Sequence, residues 1–354
     1  MSFDELNFTT TPNFKFKEYI KETAECLGVN FTFDCYKDNE GVIYLISPYY
    51  DEKNLEEKKY PISIIDIKNN KISMVLKGHE DRVITARYFQ DPNTKFHYLI
   101  SADRKGHVIA WDLTQGGKII YDETFTYKSF IYSVLLMFEK INDKNIIIYA
   151  VISTIGNEET KVVNINEKDN KEVLKDSQLL KVYFLTYWWD EKNKAHNIIS
   201  CGNSKIVIDE FKPGTQGNQG NHTVFDSNNE INYLGAMVFE KEGKNLLITS
   251  STSGSIKVFD LDTKTEAYNQ KYEGVFFYSF VKWNDEYILL MDSFEKKIFV
   301  IDINDNYKVK SKVLCPKMHF ERFMRKIDHP LYGESILSVG IDWKIKLFIN
   351  RNIR

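Results

Sequence analysis

Histidine and cysteine are the residues best able to hold a metal or attack a substrate, so their spacing sets the first limits on chemistry. The four cysteines, Cys26, Cys35, Cys201 and Cys315, form no C-x-x-C pair. Dispersed in this way they fit buried thiols in a reducing compartment better than a zinc site or a disulfide framework. The seven histidines are scattered as well. No H-E-x-x-H, G-x-S-x-G, Walker A or kinase catalytic-loop pattern occurs, so the short motifs that put a metal, a nucleophile or a phosphate cradle on one element are missing. Asp and Glu together number 50, which makes neighbouring carboxylates inevitable and uninformative about acid–base work. The run GTQGNQGN, Gly214–Asn221, lacks the lysine and the strand–helix setting of a phosphate loop and reads as a flexible connection. No catalytic, cofactor-binding or metal-binding residue is assigned on these grounds, and no cofactor is expected.

Any site must therefore be positioned by the elements around it, and these read as strands. Aromatics make up 14% of the chain, with 24 Phe and 21 Tyr against 5 Trp, a composition that favours pleated, half-buried strands. From about residue 28 onward, short β-branched and aromatic runs alternate with Asn, Asp, Gly and Lys turns. At 354 residues the chain exceeds what one compact core normally serves, unless repeated units bury their faces against each other. The net charge of −3 is built from interspersed acids and bases, without the cationic stripe that a nucleic-acid backbone requires. No apolar run reaches the length of a membrane span, and the N-terminus MSFDELNFTTTPNFKFKEY is too polar for a secretory signal. A cytoplasmic protein with no nucleic-acid partner and no membrane insertion is expected.

One pattern recurs: an apolar strand that ends in aspartate or a polar stand-in. It appears as Ile62–Asp66, Val108–Asp112, Val162–Asn166, Ile206–Asp209, Ile256–Asp260 and Phe299–Asp302, and Lys346–Ile349 closes the series without its acid. The spacing, on the order of 40 to 55 residues, matches the period of four-stranded propeller blades. The sharpest repeat runs from Gly78-His79 through Leu99-Ile100-Ser101-Ala102-Asp103 to Trp111-Asp112. Two others are Leu246–Ser251 with Gly254 and Ile256–Asp260, and Ile336–Phe348.

With its Gly-His and Trp-Asp ends, the chain resembles the WD40-repeat family over roughly residues 28 to 354. The resemblance implies a structural tetrad of histidine, strand serine, turn aspartate and tryptophan. His79, Ser101 and Trp111 fill three places in the second blade, while the turn position near 105 holds Lys105. Asp103 stands two residues early, so this tetrad is expected to be incomplete. In the last repeat Ser338 and Asp342 fill the serine and aspartate places, with Phe348 for the tryptophan.

The expected fold is all-β, a seven-bladed WD40-type β-propeller with blades near 28–77, 78–122, 123–175, 176–227, 228–272, 273–314 and 315–354. The last blade runs out of chain after its third strand, and residues 1–27 carry a spare strand-like run, Asn13–Ile20. Phe14, Phe16 and their neighbours are therefore expected to pair with Lys344–Ile349 and close the ring. In such propellers the d–a and b–c loops share one face. Tyr49, Tyr50, Glu80, Arg82, Arg104, Lys105 and Trp343 fall there as candidate partner-binding residues. Trp188, Trp189 and Trp283 end strands on the other side and read as packing between blades. The function expected is a non-enzymatic scaffold or adaptor whose partners are other proteins, subunits of one complex. The alternative is a propeller enzyme or small-ligand sensor using the central channel, disfavoured by small and apolar first-strand positions such as Val83-Ile84-Thr85-Ala86. A rival phosphoinositide-binding propeller would need an Arg-Arg pair, and the chain has none.

Overall fold

The computed structural model describes residues 8–10, 34–48, 59–69, 71–126, 131–142, 146–154, 160–167, 171–174, 182–212, 221–226, 232–275, 277–292, 296–314, 321–330, 333–340 and 345–350. Among them are 28 strands in seven four-stranded sheets, a seven-bladed β-propeller. No helix long and apolar enough to cross a membrane occurs among the described residues. The sheets occupy residues 34–76, 83–124, 131–174, 182–226, 233–271, 277–314 and 321–350, and are called blades one to seven. Each lies inside its expected segment except blade two, whose outer strand runs on to Thr124.

The middle strands of a blade are covered on both faces, so they need apolar or β-branched residues at nearly every position. In blade two the second strand, His97–Asp103, is buried throughout, and the third, His107–Asp112, almost so. The outer strand, Lys118–Thr124, mixes polar and apolar residues and is largely exposed apart from the buried Tyr121. The recurrent aspartate is a turn cap. Asp66 Oδ1 accepts the N–H groups of Lys68 and Asn69, Asp260 Oδ1 those of Asp262 and Thr263, and Asp302 Oδ1 those of Asn304 and Asp305. Each closes the turn from third to fourth strand through its own side chain. Burial opposes ionisation of Asp260 and Asp302, but these N–H donors, with Lys310 at Asp302, hold both carboxyls below the usual range.

The seventh sheet has the order Phe8–Thr10, Ile345–Asn350, Gly333–Gly340, Glu321–His329, so an N-terminal strand does complete the last blade. Its identity differs from expectation. Phe8 faces Asn350, Thr9 faces Ile349 and Thr10 faces Phe348, whereas Phe14 and Phe16 lie outside the described residues. The Phe/Lys alternation at 14–17 made that run look like a strand, but an open edge is satisfied by backbone groups, which a short FTT segment supplies equally well.

Packing divides the chain into two units. The first comprises Met1–Lys77, Ser250–Lys257 and Ala267–Arg354, and the second Gly78–Thr249 and Val258–Glu266. In the first, Ile43, Leu45 and Ile65 pack on Leu337 and Leu347, while Leu289, Val300, Met324 and Ile336 form another cluster. In the second, Ile100 and Ala110 pack on Leu136 and Ala150, and Val151 on Ile198 and Val207. Each such fully buried valine, leucine, isoleucine or methionine side chain contributes about 1.5–3 kcal/mol. Neighbouring first strands are also tied by serines at irregular register. Ser133 Oγ accepts the Leu185 N–H at 3.1 Å in the second unit, and Ser279 Oγ accepts the Met324 N–H at 3.1 Å in the first.

Candidate functional site

Blade two holds a buried polar chain at one end. The Trp111 indole N–H donates to Ser101 Oγ at 3.1 Å, Ser101 Oγ lies 2.7 Å from His79 Nε2, and His79 Nδ1 lies 3.3 Å from Asp103 Oδ2. Asp103 Oδ1 accepts the N–H groups of Lys105 and His107. The expectation of an incomplete tetrad is thus corrected: Asp103, not the residue near 105, completes it. An aspartate at the strand end caps the following turn with one oxygen and reaches His79 with the other. Lys105 contributes only its backbone N–H. Glycines make the approach possible. A Cβ on Gly78 would come within 2.7 Å of Ile109 Cδ1, and one on Gly106, at φ +84°, within 2.4 Å of the Phe125 carbonyl oxygen. Burial lowers the pKa of His79 despite the Asp103 carboxylate beside it. Burial pushes the other way on Asp103, but bonds from His79, His107 and Lys105 keep that carboxyl below its ordinary value. The imidazole is neutral and the carboxylate ionised at neutral pH.

This chain fixes the two loops that bear four of the candidate partner-binding residues. The Arg104 N–H donates to the Arg82 carbonyl at 3.0 Å, so Glu80, Arg82, Arg104 and Lys105 come together, Arg82 half-buried and the others exposed. Tyr49, Tyr50, Asp342 and Trp343 lie outside the described residues, and Ser338 is buried opposite Lys346 in the last blade.

The first strands also carry charged side chains, and these are engaged. One residue beyond Val83–Ala86, the Arg87 guanidinium donates to the Leu185 carbonyl at 2.6 Å and lies over the Phe89 and Phe184 rings. Arg325 binds Asp34 at 2.7 Å, and Lys326 binds the Trp283 carbonyl and Glu334.

The opposite end of the second unit carries what sequence reasoning missed. The a–b hairpins of blades two, three and four follow one another, and each presents a large apolar residue in or next to its turn: Phe96 at 39% exposure, Ile141 at 53% and Trp189, near the end of its strand, at 36%. The Trp189 ring rests on His196, centroids 4.8 Å apart, while its N–H donates to Glu191 at 2.6 Å. A separate groove of about 100 Å³ is lined by Trp188, Asn193, Asn197, Glu210, Asp262 and Lys264, among others. Trp188 packs partly against the core, and Trp283 is buried in it. Sheet register separates the adjacent tryptophans: Trp188 faces Asn197 and Trp189 faces His196, on opposite sides of the sheet.

The fold has clear counterparts among solved structures. The Myceliophteria thermophila Cps50 (Swd1) β-propeller domain aligns with a TM-score of 0.63 and 14% identity, covering 89% of this chain and 96% of that one. BBS1N, solved in complex with ARL6DN and soaked with lead, aligns with a TM-score of 0.65 and 9% identity, covering 99% of both. At these identities the likeness is one of fold. No protein-family model and no curated protein sequence matches the chain.

Proposed function

We propose that the chain is a WD-repeat propeller acting as a non-enzymatic interaction scaffold within a larger protein assembly, docked through the end of its second unit that carries Phe96, Ile141 and Trp189. The observation that carries this reading is the placement of these three exposed apolar side chains on successive hairpins of one rigid frame. An interface anchor is typically a large aromatic in a dry centre with a polar rim. Trp189 is already held by Glu191, so little rotamer entropy is lost when it is covered, and the exposed Lys192 and Asn193 that follow it in the same turn supply polar neighbours. The charged side chains on the first strands described above are engaged with backbone, rings and neighbouring charges, which favours a structural over a catalytic use. The Trp111–Ser101–His79–Asp103 chain supports the WD-repeat reading, and BBS1N offers a precedent for a propeller of this shape in a complex. The loops with Glu80, Arg82, Arg104 and Lys105 form a second contact region in this proposal. The free thiols of Cys35 and Cys201 suit a reducing compartment, the cytoplasm.

The test is purification of the tagged full-length protein at native level with mass spectrometry, beside a Phe96→Ser/Ile141→Ser/Trp189→Ser variant. Co-purifying subunits should appear with the wild type and fall at least tenfold with the variant, whose circular dichroism and melting stay unchanged. A wild type that purifies alone, or a variant that keeps every subunit, refutes the reading.

A further inference from the structure

The tetrad of blade two has a neighbour that its structural task does not use. His107 begins the third strand, four residues after Asp103 and across the turn made by Arg104, Lys105 and Gly106. Its Nε2 lies 2.6 Å from Asp122 Oδ1, and its Nδ1 points back to Asp103 Oδ2 at 3.9 Å. The same Asp103 oxygen receives His79 Nδ1 at 3.3 Å, and the His79 and His107 rings meet edge-on with centroids 5.4 Å apart. All three ligand atoms lie within 4.8 Å of one another.

Two features make this more than a crowded corner. The Asp122 carboxylate engages His107 Nε2, which leaves His107 Nδ1 facing Asp103 Oδ2, the oxygen that His79 Nδ1 also faces. Each imidazole, moreover, has its remote nitrogen fixed by a second oxygen: His107 by Asp122, and His79 by Ser101, itself held by Trp111. Outer partners of this kind orient the imidazoles of metal sites. Tetrahedral zinc, with bonds of about 2.0–2.2 Å, sets its ligand atoms about 3.4 Å apart. The separations from Asp103 Oδ2, 3.3 Å to His79 Nδ1 and 3.9 Å to His107 Nδ1, approach that spacing, and an inward turn of His107 would close the set.

We propose that His79 Nδ1, His107 Nδ1 and Asp103 Oδ2 form a binding site for a divalent transition ion of the zinc class, with the fourth position left to water. Two imidazoles and one carboxylate oxygen are a donor set that zinc accepts. His79 enters by shifting its proton from Nδ1 to Nε2, where it donates to Ser101 Oγ. The Ser101 hydroxyl then turns to the Ile109 carbonyl, 3.4 Å away. No polar group of the chain loses its partner. The ion ties the loop before the first strand to the turn that bears Arg104 and Lys105. The His107 side chain is partly exposed, giving the ion a way in.

The experiment titrates zinc, and cobalt as a spectroscopic probe, into the metal-free full-length protein. The result expected is one ion bound per chain, a tetrahedral cobalt spectrum without thiolate bands, and a higher Tm with zinc. His107→Gln lies outside the tryptophan–serine–histidine–aspartate chain, so it should keep the fold, checked by Trp111 fluorescence, while losing at least about 100-fold in affinity. Asp122→Asn should lose about 10- to 100-fold. The proposal is overturned if the wild type binds no stoichiometric ion, or if His107→Gln binds as the wild type does.

Discussion

The b–c turns of blades two and five share a backbone and differ in nearly everything else. Gly106 at φ +84° and Gly254 at φ +81° hold the same place, and each donates its N–H 3.2 Å to the carbonyl three residues back, of Asp103 and Ser251. The Gly106 carbonyl accepts from Phe125 at 2.9 Å, and that of Gly254 from Tyr272 at 3.0 Å. Where blade two has Asp103, Lys105 and His107, blade five has Ser251, Ser253 and Ser255, linked hydroxyl to hydroxyl at 2.8 and 3.2 Å. Thr249 stands in the place of Ser101 with its buried hydroxyl unbonded among the described residues. Phe259 stands for Trp111 and stacks on Phe225. A left-handed residue before the third strand is shared more widely, by Ser204 (φ +57°) in blade four and Lys296 (φ +54°) in blade six, while the polar chain is an addition. Blade five, without that polar chain, still forms its four-stranded sheet.

The comparison breaks first if the glycines are not equivalent. A Cβ would come within 2.4 Å of the Phe125 oxygen at Gly106 and within 2.1 Å of the Tyr272 oxygen at Gly254. Gly106→Ala and Gly254→Ala should each cost at least about 3 kcal/mol, read as shifts in the urea midpoint.

The next effect is set by pH and belongs to buried histidine, which the blade-five turn lacks. His196, 1% exposed beneath Trp189, is lowered by burial from 6.5 to about 4. Its folded pKa lies below its unfolded value, so the contribution is complete above pH 6.5 and is lost as pH falls from 6.5 towards 4. The loss amounts to roughly 3 kcal/mol at most. Urea midpoints at pH 7 and 4.5 should converge in His196→Leu by comparison with the wild type. His79 is lowered in the same direction and adds to the residual slope.

The smaller contrast is the sharper one. Ser101→Ala strands the Trp111 indole N–H and a His79 nitrogen, and should cost about 1–3 kcal/mol. Thr249→Val, at the matching place in blade five, removes an unbonded hydroxyl and should be neutral or stabilising. Equal losses at the two positions would mean that the hydroxyl matters to the blade in general and not to the tetrad.

These contrasts explain what could be read from the chain. The blades were legible because the capping aspartates and continuous middle strands recur at a fixed period. Closure by an N-terminal strand was legible from the missing fourth strand, but not the segment that supplies it, since edge pairing is a backbone matter. Asp103 was discounted because a spacing rule expects the acid in the turn, whereas a side chain at the strand end reaches both the turn and His79. His107 and Asp122 meet only across the third and fourth strands, a register that no linear motif records. Trp188, Trp189 and Trp283 all end strands, and only the register of each sheet decides which one faces solvent.

The most direct test of the scaffold reading places a photo-crosslinking amino acid singly at positions 96, 141 and 189, with position 119 as a control on the exposed outer strand of blade two. The scaffold reading predicts that the first three capture the same partner subunit and that position 119 captures none. Capture by position 119 alone, or three unrelated products, would contradict it.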